Sequence, residues 1–248
     1  MGHVYDQHFM DYTASASRHA AMKVAALLRE PLALRSVLDV GCATGTWLAA
    51  WRESGIEDIQ GADGDYVQRE RLLIPAGCFR AADLSRPLDL GRRFDLVQSL
   101  EVAEHIGKDH ADQFVANLVA HASGVILFSA APPGQGGEYH INEQPLDYWR
   151  EKFAAHGYRA FDAIRPQLLP DTAVPFWYRF NTLLYVHDER IAGLPADIAR
   201  TAVPEAQAVP DPSPSLFRLR RRVVASLPYG WQQGLARLKA RVLRSGRF

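Results

Sequence analysis

Val37-Leu38-Asp39-Val40-Gly41-Cys42-Ala43-Thr44-Gly45-Thr46 decides how the chain is read. Ser36-Val-Leu-Asp-Val40 is a short apolar run that stops at a glycine, which is the pattern of a buried strand feeding a tight turn. Gly45 to Glu53 then reads as a helix. Glycines at 41 and 45 permit a backbone that other residues resist and let a ligand approach the main chain closely. The turn is not the GxGxxG of a nicotinamide dehydrogenase. Its pattern is DxGxxxG, and an acid ahead of the glycines suits an ammonium group and repels a pyrophosphate.

Outward from this turn, strands and helices alternate. Asp58 to Ala62 reads as a second strand closing on Asp63, Phe79 to Ala82 as a third ending before Asp83, and Phe94 to Leu100 as a fourth. Gly124 to Ser129 is wholly apolar up to its last residue and reads as a fifth strand covered on both faces. Phe161 to Ile164 and Asn181 to Val186 supply late strands, while Thr13 to Arg29, Ala111 to His121 and Pro145 to His156 read as helices. Such alternation predicts a doubly wound parallel sheet, whose ligands bind beyond the carboxyl ends of the strands where strand order switches. Asp63 lies eighteen residues beyond Gly45, where a carboxylate can accept both hydroxyls of a ribose. Asp83 stands where it could meet an adenine edge. A Tyr148-x-x-x-Lys152 pair lacks the glycine turn that short-chain dehydrogenases carry with it, and reads as chance on an amphipathic helix.

Apolar residues make up 48% of the 248 and charged residues 23%, ordinary values for a globular protein able to bury a core without staples. Cys42 and Cys78 form no CxxC pair and read as reduced thiols in a cytoplasmic protein. No signal peptide is evident, and no stretch approaches the roughly 18 apolar residues of a membrane span. The formal charge is zero but unevenly spread. From Ser213 onward there are nine Arg and Lys and no acid, so residues 1–212 carry nineteen basic against twenty-eight acidic side chains. The Pro- and Ala-rich stretch Ala202–Pro214 reads as part of a linker. The expected organisation is a helical cap over 1–35, a main domain over 36–190, a linker over 191–214 and a basic amphipathic extension over 215–248. In that extension Leu235, Leu238 and Val242 share a stripe, suited to an anionic membrane surface, to an acidic partner, or to docking on the chain's own acidic domain. Peripheral contact with the inner face of the membrane is one outcome of such a tail. An acidic main domain gives no reason to expect nucleic acid.

A second constellation follows the fourth strand. If a helix begins there, Glu101, Glu104 and His105 share one face at i, i+3 and i+4. A glycine-rich loop after the fifth strand, Gly134 to Gln144, can carry His140 over the same mouth. The residues alone leave two readings open: a divalent-cation site with free coordination positions, or a solvated helix start whose acids favour the helix dipole.

The turn resembles motif I of the class I S-adenosylmethionine-dependent methyltransferases, and Asp63, Asp83 and the fourth strand fall where that family's later motifs fall; the resemblance spans roughly residues 10–190. It implies a Rossmann-like α/β fold, doubly wound, with a mostly parallel seven-stranded sheet, flanking helices and here a basic C-terminal helical tail. It implies S-adenosylmethionine as cofactor, with Asp39, Gly41, Cys42, Ala43 and Gly45 around its methionine end. Asp63 and Gly64 would then meet the ribose, Asp83 and Leu84 the adenine, and Ser99 and Leu100 would floor the sulfonium. Tyr5 and Tyr12 would close over the cofactor. Glu101-x-x-Glu104-His105 with a later His140 is similar to the ligand set of the metal-assisted small-RNA 2′-O-methyltransferases and the ubiquinone-pathway O-methyltransferases. This similarity implies a divalent metal cation on Glu101, Glu104, His105 and His140. Imidazole ligands favour manganese, iron, cobalt, nickel or zinc over calcium, and the resemblance keeps magnesium among them. Glu101, His105 and His140 are then the expected catalytic groups. Tyr148, Trp149, Trp177 and Tyr178 form a candidate aromatic wall. The expected activity is O-methylation of a small molecule or glycan hydroxyl, a sugar first and a phenol or catechol second. The alternatives are a metal-independent O- or N-methyltransferase with His105 as general base, and a cofactor-binding module without catalysis.

Overall fold

Seven strands form one sheet in the order β3-β2-β1-β4-β5-β7-β6. They are β1 (Ser36–Val40), β2 (Asp58–Asp63), β3 (Phe79–Ala81), β4 (Leu96–Leu100), β5 (Val125–Ser129), β6 (Tyr158–Phe161) and β7 (Leu183–His187). Pairing is parallel from β3 through β5, with Ser36 opposite Asp58 and Val37 opposite Leu96; β7 runs antiparallel to both β5 and β6. The sheet is therefore mostly parallel and Rossmann-like. The helices are α1 (Gln7–Leu28), α2 (Thr46–Glu53), α3 (Ala111–His121), α4 (Leu146–Ala154), α5 (Arg165–Leu168), α6 (Phe176–Asn181), α7 (Asp188–Ile191), α8 (Ala196–Ala199) and α9 (Ser215–Ala225). This computed structural model describes residues 7–228 with 230, 231, 234 and 235, and side chains from residue 16 onward. The tyrosines expected over the cofactor, Tyr5 and the side chain of Tyr12, lie outside the described residues, as do Leu238, Val242 and the basic residues from Arg237 onward.

Strands β1, β4 and β5 are buried at every position, as apolar runs between two helical layers must be. On one face α1 presents Ala20, Ala21, Val24, Ala25 and Leu28, whose three alanines let it lie close to Leu48 and Trp51 of α2. On the other face Phe114, Val115 and Leu118 of α3 pack with Trp149 and Phe153 of α4. Among the described residues no helix is long and apolar enough to cross a membrane.

Three local expectations shift. The sixth strand is Tyr158–Phe161, because Gly157 at φ 76° ends the turn after α4 and sends the chain straight into the sheet. Phe176–Asn181, an aromatic run without a readable period, is helix α6, so the last strand starts at Leu183. The stretch 191–214, expected as a linker, packs on the domain: Val203 and Val209 are buried, and Val209 donates to Asp147. The fully buried Arg165 secures this corner, pairing with Asp162 at 2.7 Å and donating to the carbonyls of Phe180 and Pro210.

Candidate active site

Strand order reverses between β1 and β4, so the turns that follow them lie side by side. Gly41 has φ 89° and Gly45 φ 86°, and a Cβ on Gly41 would sit 2.3 Å from Cγ2 of Val102. That close approach joins the first turn to the second. Ala43 also takes a left-handed conformation, at φ 47°. The turn is held by Asp63, whose Oδ2 accepts from the Ala43 amide at 2.7 Å. Its Oδ1 accepts from the Gly64 amide at 2.6 Å and from the Tyr66 hydroxyl at 2.5 Å. Gly64 lets the Tyr66 ring fold back, since a Cβ there would meet it at 2.1 Å. Asp39 is buried, and burial pushes its carboxyl up to about 7 although a hydrogen bond from Gln98 opposes this and Asp63 adds to it. Burial, with Asp39 and Asp63 nearby, also pushes the Cys42 thiol up and keeps it protonated.

The outer members of the expected cofactor set are disposed less uniformly. Asp83 is exposed at the end of β3, and the Ser85 hydroxyl and amide hold its carboxyl below the ordinary value. Leu84 is buried in the core beside it. Ser99 donates to the Val40 carbonyl at 2.7 Å and ties β4 to β1, while Leu100 is nearly buried at the strand end.

The segment after β4 is not an α-helix. Glu101 has φ 57°, Val102 is extended in φ, and only a 3₁₀ turn over Ala103–His105 follows. The Glu101 amide is bound by the carbonyl and hydroxyl oxygens of Ser129, and this hold keeps the residue left-handed. Glu101 and Glu104 therefore do not share a helical face. Glu101 turns its Oε2 to the Gln135 amide at 2.7 Å and its Oε1 to the Asn181 amide at 3.1 Å; Asn181 also donates to Gln135 Oε1 at 2.9 Å.

Glu104, His105 and His140 do come together, with ligand atoms within 4.8 Å of one another. Glu104 is 1% exposed and its carboxylate makes no well-formed hydrogen bond; only the backbone amides of Glu104 and Ala131 come near enough to favour its charge. Burial, with Glu101 close by, pushes its carboxyl well up; burial also raises Glu101, against hydrogen bonds from Asn181, Gln135 and Ser129 that lower it. His140 Nε2 faces Glu104 Oε1 at 3.9 Å, and its Nδ1 is 2.8 Å from Glu143 Oε1. His105 Nδ1 lies 3.2 Å from the Tyr139 carbonyl, so Nδ1 carries the proton and the Nε2 lone pair is left for other use. His105 keeps an exposed edge, and desolvation of the rest of its ring, followed by the neighbouring His140 ring, lowers its pKa below the ordinary value. The loop bearing His140 is pinned by the Ile141 and Asn142 amides, which donate to the Glu104 carbonyl, and by Glu143, which accepts from the Gly134 and Gly136 amides at 2.7 Å each.

Sequence reasoning missed Gln135, Asn181 and Glu143 as parts of the site. Glu143 follows His140 by three residues and its spacing was legible; Asn181 is eighty residues from Glu101 and had no local signal. Of the expected aromatic wall, Trp149 is core, packed on Phe128. Tyr178 instead meets the start of α2 after the first turn, its hydroxyl 3.3 Å from Trp47 Nε1 and 3.2 Å from Ser17 Oγ of α1.

No protein of curated function matches the chain. Residues 7–168 match the family described as the methyltransferase domain. Among solved structures, the chain is similar to the sugar N-methyltransferase KedS8 from Streptoalloteichus, with 20% identity over 75% of this chain and 94% of that one and a TM-score of 0.57. It is similar to CalS10, an amino pentose methyltransferase from Micromonospora echinaspora, with 18% identity over 75% and 99% and a TM-score of 0.53. The magnesium protoporphyrin IX methyltransferase of Synechocystis, solved with S-adenosylhomocysteine, gives 18% identity over 75% and 90% and a TM-score of 0.51.

Proposed function

Because this chain belongs to the methyltransferase-domain family, we propose that, as an S-adenosylmethionine-dependent enzyme, it methylates a hydroxyl of a small molecule or glycan, with a divalent cation held by Glu104, His105 and His140. The observation that carries this reading is the Glu104 carboxylate, fully buried and without a well-formed hydrogen bond, clustered with two imidazoles. An unpaired buried carboxylate is costly, and a cation among such groups reverses the sign of the interaction. Both imidazoles fit ligation, since each engages Nδ1 with a backbone or carboxylate oxygen and leaves Nε2 toward the cluster.

The cofactor supplies a methyl group on a sulfonium, and a divalent cation supplies Lewis acidity that lowers the pKa of a hydroxyl. The chain's own part is to align the acceptor and take its proton. Glu101 stands where the two turns meet, oriented by Gln135 and Asn181, and burial raises its pKa, the direction that makes a carboxylate a better proton acceptor. Alignment of the acceptor with the methyl group contributes much of the remaining acceleration.

Exhaustive chelation followed by add-back of magnesium, manganese, iron, cobalt, nickel or zinc tests the reading. Transfer of labelled methyl to oligosaccharides, sugar nucleotides and catechols is followed, and the metal content of the purified chain is measured separately. Loss and recovery of transfer is expected; full transfer by the chelated enzyme overturns the metal role. A second reading, a metal-independent transfer with His105 as base, is favoured by the neutral His105 ring with its free Nε2. In that case an amine is also a natural acceptor, as the name of the sugar N-methyltransferase states for that enzyme.

A further inference from the structure

Helix α9 has two apolar faces. Inward, Phe217 sets its ring against Phe176 at 5.0 Å and Phe180 at 5.5 Å. Arg221 pairs with Asp211 at 2.7 Å, and Arg218 folds back onto the Ser213 carbonyl, so these two arginines serve to dock the helix. Outward, Leu216, Leu219 and Val223 recur at i, i+3 and i+7 and are 81%, 57% and 55% exposed. Arg220 and Arg222 are exposed along the two edges of that stripe. Beyond the helix Trp231 and Leu235 are exposed as well.

We propose that this outer face of α9 docks on an anionic lipid bilayer, with Leu216, Leu219 and Val223 entering the interface and Arg220 and Arg222 at headgroup level. A row of exposed aliphatic residues on one short helix marks a contact surface. The flanking charge selects its occupant. From Ser213 to the last residue the sequence has nine basic side chains and no acid, while the preceding residues carry nineteen basic against twenty-eight acidic. Anionic headgroups complement the first and the acidic domain stays in water. A nucleic acid offers phosphate but no apolar layer to receive the leucines. A second copy would bring the same basic face against this one and is disfavoured by like charge. An in-plane amphipathic helix with arginines beside an apolar stripe and a tryptophan nearby suits a lipid interface.

The docked helix also touches the mouth of the site. A Cβ on Gly134 would lie 1.9 Å from the Arg221 carbonyl, so α9 rests on the loop that carries Gln135 and His140. Phe217 rests on α6, which ends at Asn181. A surface bound by α9 is thereby adjacent to the two elements that carry Gln135 and Asn181, the partners of Glu101.

Flotation of the full-length protein with phosphatidylcholine vesicles, with and without phosphatidylglycerol, is the test. Binding is expected to the anionic vesicles alone and to fall as salt is raised. The triple variant L216S/L219S/V223S should lose binding by about tenfold or more, and R220Q/R222Q by about fivefold for each arginine. All five side chains are exposed, so thermal unfolding of both variants should match the parent. Failure of the parent to float, equal flotation of the triple variant, or capture by an acidic polypeptide or RNA without vesicle binding would overturn the proposal.

Discussion

The turn after β1 and the turn after β4 lie against each other, yet they are finished to different degrees. In the first, left-handed residues are matched by bonds: Gly41 donates to the Ala62 carbonyl at 2.7 Å, Ala43 to Asp63, and Asp63 itself accepts three donors. In the second, Glu101 is equally left-handed and bonded, but Glu104 three residues later is buried with no well-formed hydrogen bond on its oxygens. A cradle satisfied by its own backbone stands ready without ligand. A carboxyl buried with so little support carries a cost that protonation relieves in the free protein and that a bound cation would offset instead.

The largest expected effect separates the two turns. Glu104→Gln should lower methyl transfer about a thousandfold, roughly 4 kcal/mol in barrier, because a ligand of the proposed cation is lost. S-adenosylhomocysteine affinity should stay within a factor of about two, since the cradle is untouched. Stability should move the opposite way to activity. A carboxyl whose folded pKa lies above its unfolded one keeps its proton in the native state where the unfolded chain has released it, so native stability falls as pH rises above about 4.5. The amide variant removes that penalty and should raise the stability of chelated protein at neutral pH by about 1–3 kcal/mol. Denaturant unfolding of both proteins with and without added metal is the measurement. A variant no more stable than the parent in chelator would mean that Glu104 has a partner already.

Gly41→Ala attacks the other side. The new Cβ must fit 2.3 Å from Cγ2 of Val102 at a φ of 89°, and the sum of overpacking and left-handed strain is about 3 kcal/mol. Unlike the change at Glu104, this one should damage both turns, lowering the unfolding midpoint and weakening cofactor binding together. Intact affinity in calorimetric titration would show that Val102 can yield and that the two turns are not rigidly joined.

What was legible in the sequence follows the same division. The first turn is written in ten consecutive residues, and the buried strands flanking it are apolar runs of the length a covered strand needs. The Glu101–His105 spacing fits a helical face equally well, and nothing local reveals that Ser129, across the sheet, holds Glu101 left-handed. Asn181 reaches Glu101 only because α6 precedes the antiparallel β7. Aromatic α6 itself carried no period to read. His140 was found through glycines that mark its loop, but its orientation depends on Glu143 accepting from two backbone amides of that loop.

Asp63→Ala tests whether the first turn is complete because of its carboxylate. Loss of hydrogen bonds to a charged group should weaken S-adenosylhomocysteine binding by about 2–3 kcal/mol. The Ala43 and Tyr66 partners lose their acceptor at the same time. Transfer at saturating cofactor should change far less than binding, the reverse of the pattern at Glu104. Unchanged affinity would mean that the end of β2 does not meet the cofactor.

The smallest effect concerns protons. Burial holds Asp39 up to about 7, so the free protein carries it largely protonated at pH 6 and largely ionised at pH 8. An ammonium beside it favours the ionised form and lowers that pKa on binding. Affinity for S-adenosylhomocysteine should therefore rise with pH across this interval, by about tenfold in all, or roughly 1.4 kcal/mol, and level off above it. Binding below the midpoint should release a proton, visible as a dependence of the titration enthalpy on the ionisation enthalpy of the buffer. Asp39→Asn should bind less tightly but with a flat pH profile between 6 and 8. Glu104 ought not to contribute, because it belongs to the neighbouring turn; Glu104→Gln must therefore keep the full slope. If the slope disappears in Glu104→Gln and survives in Asp39→Asn, the two turns share one titration and the division between them fails.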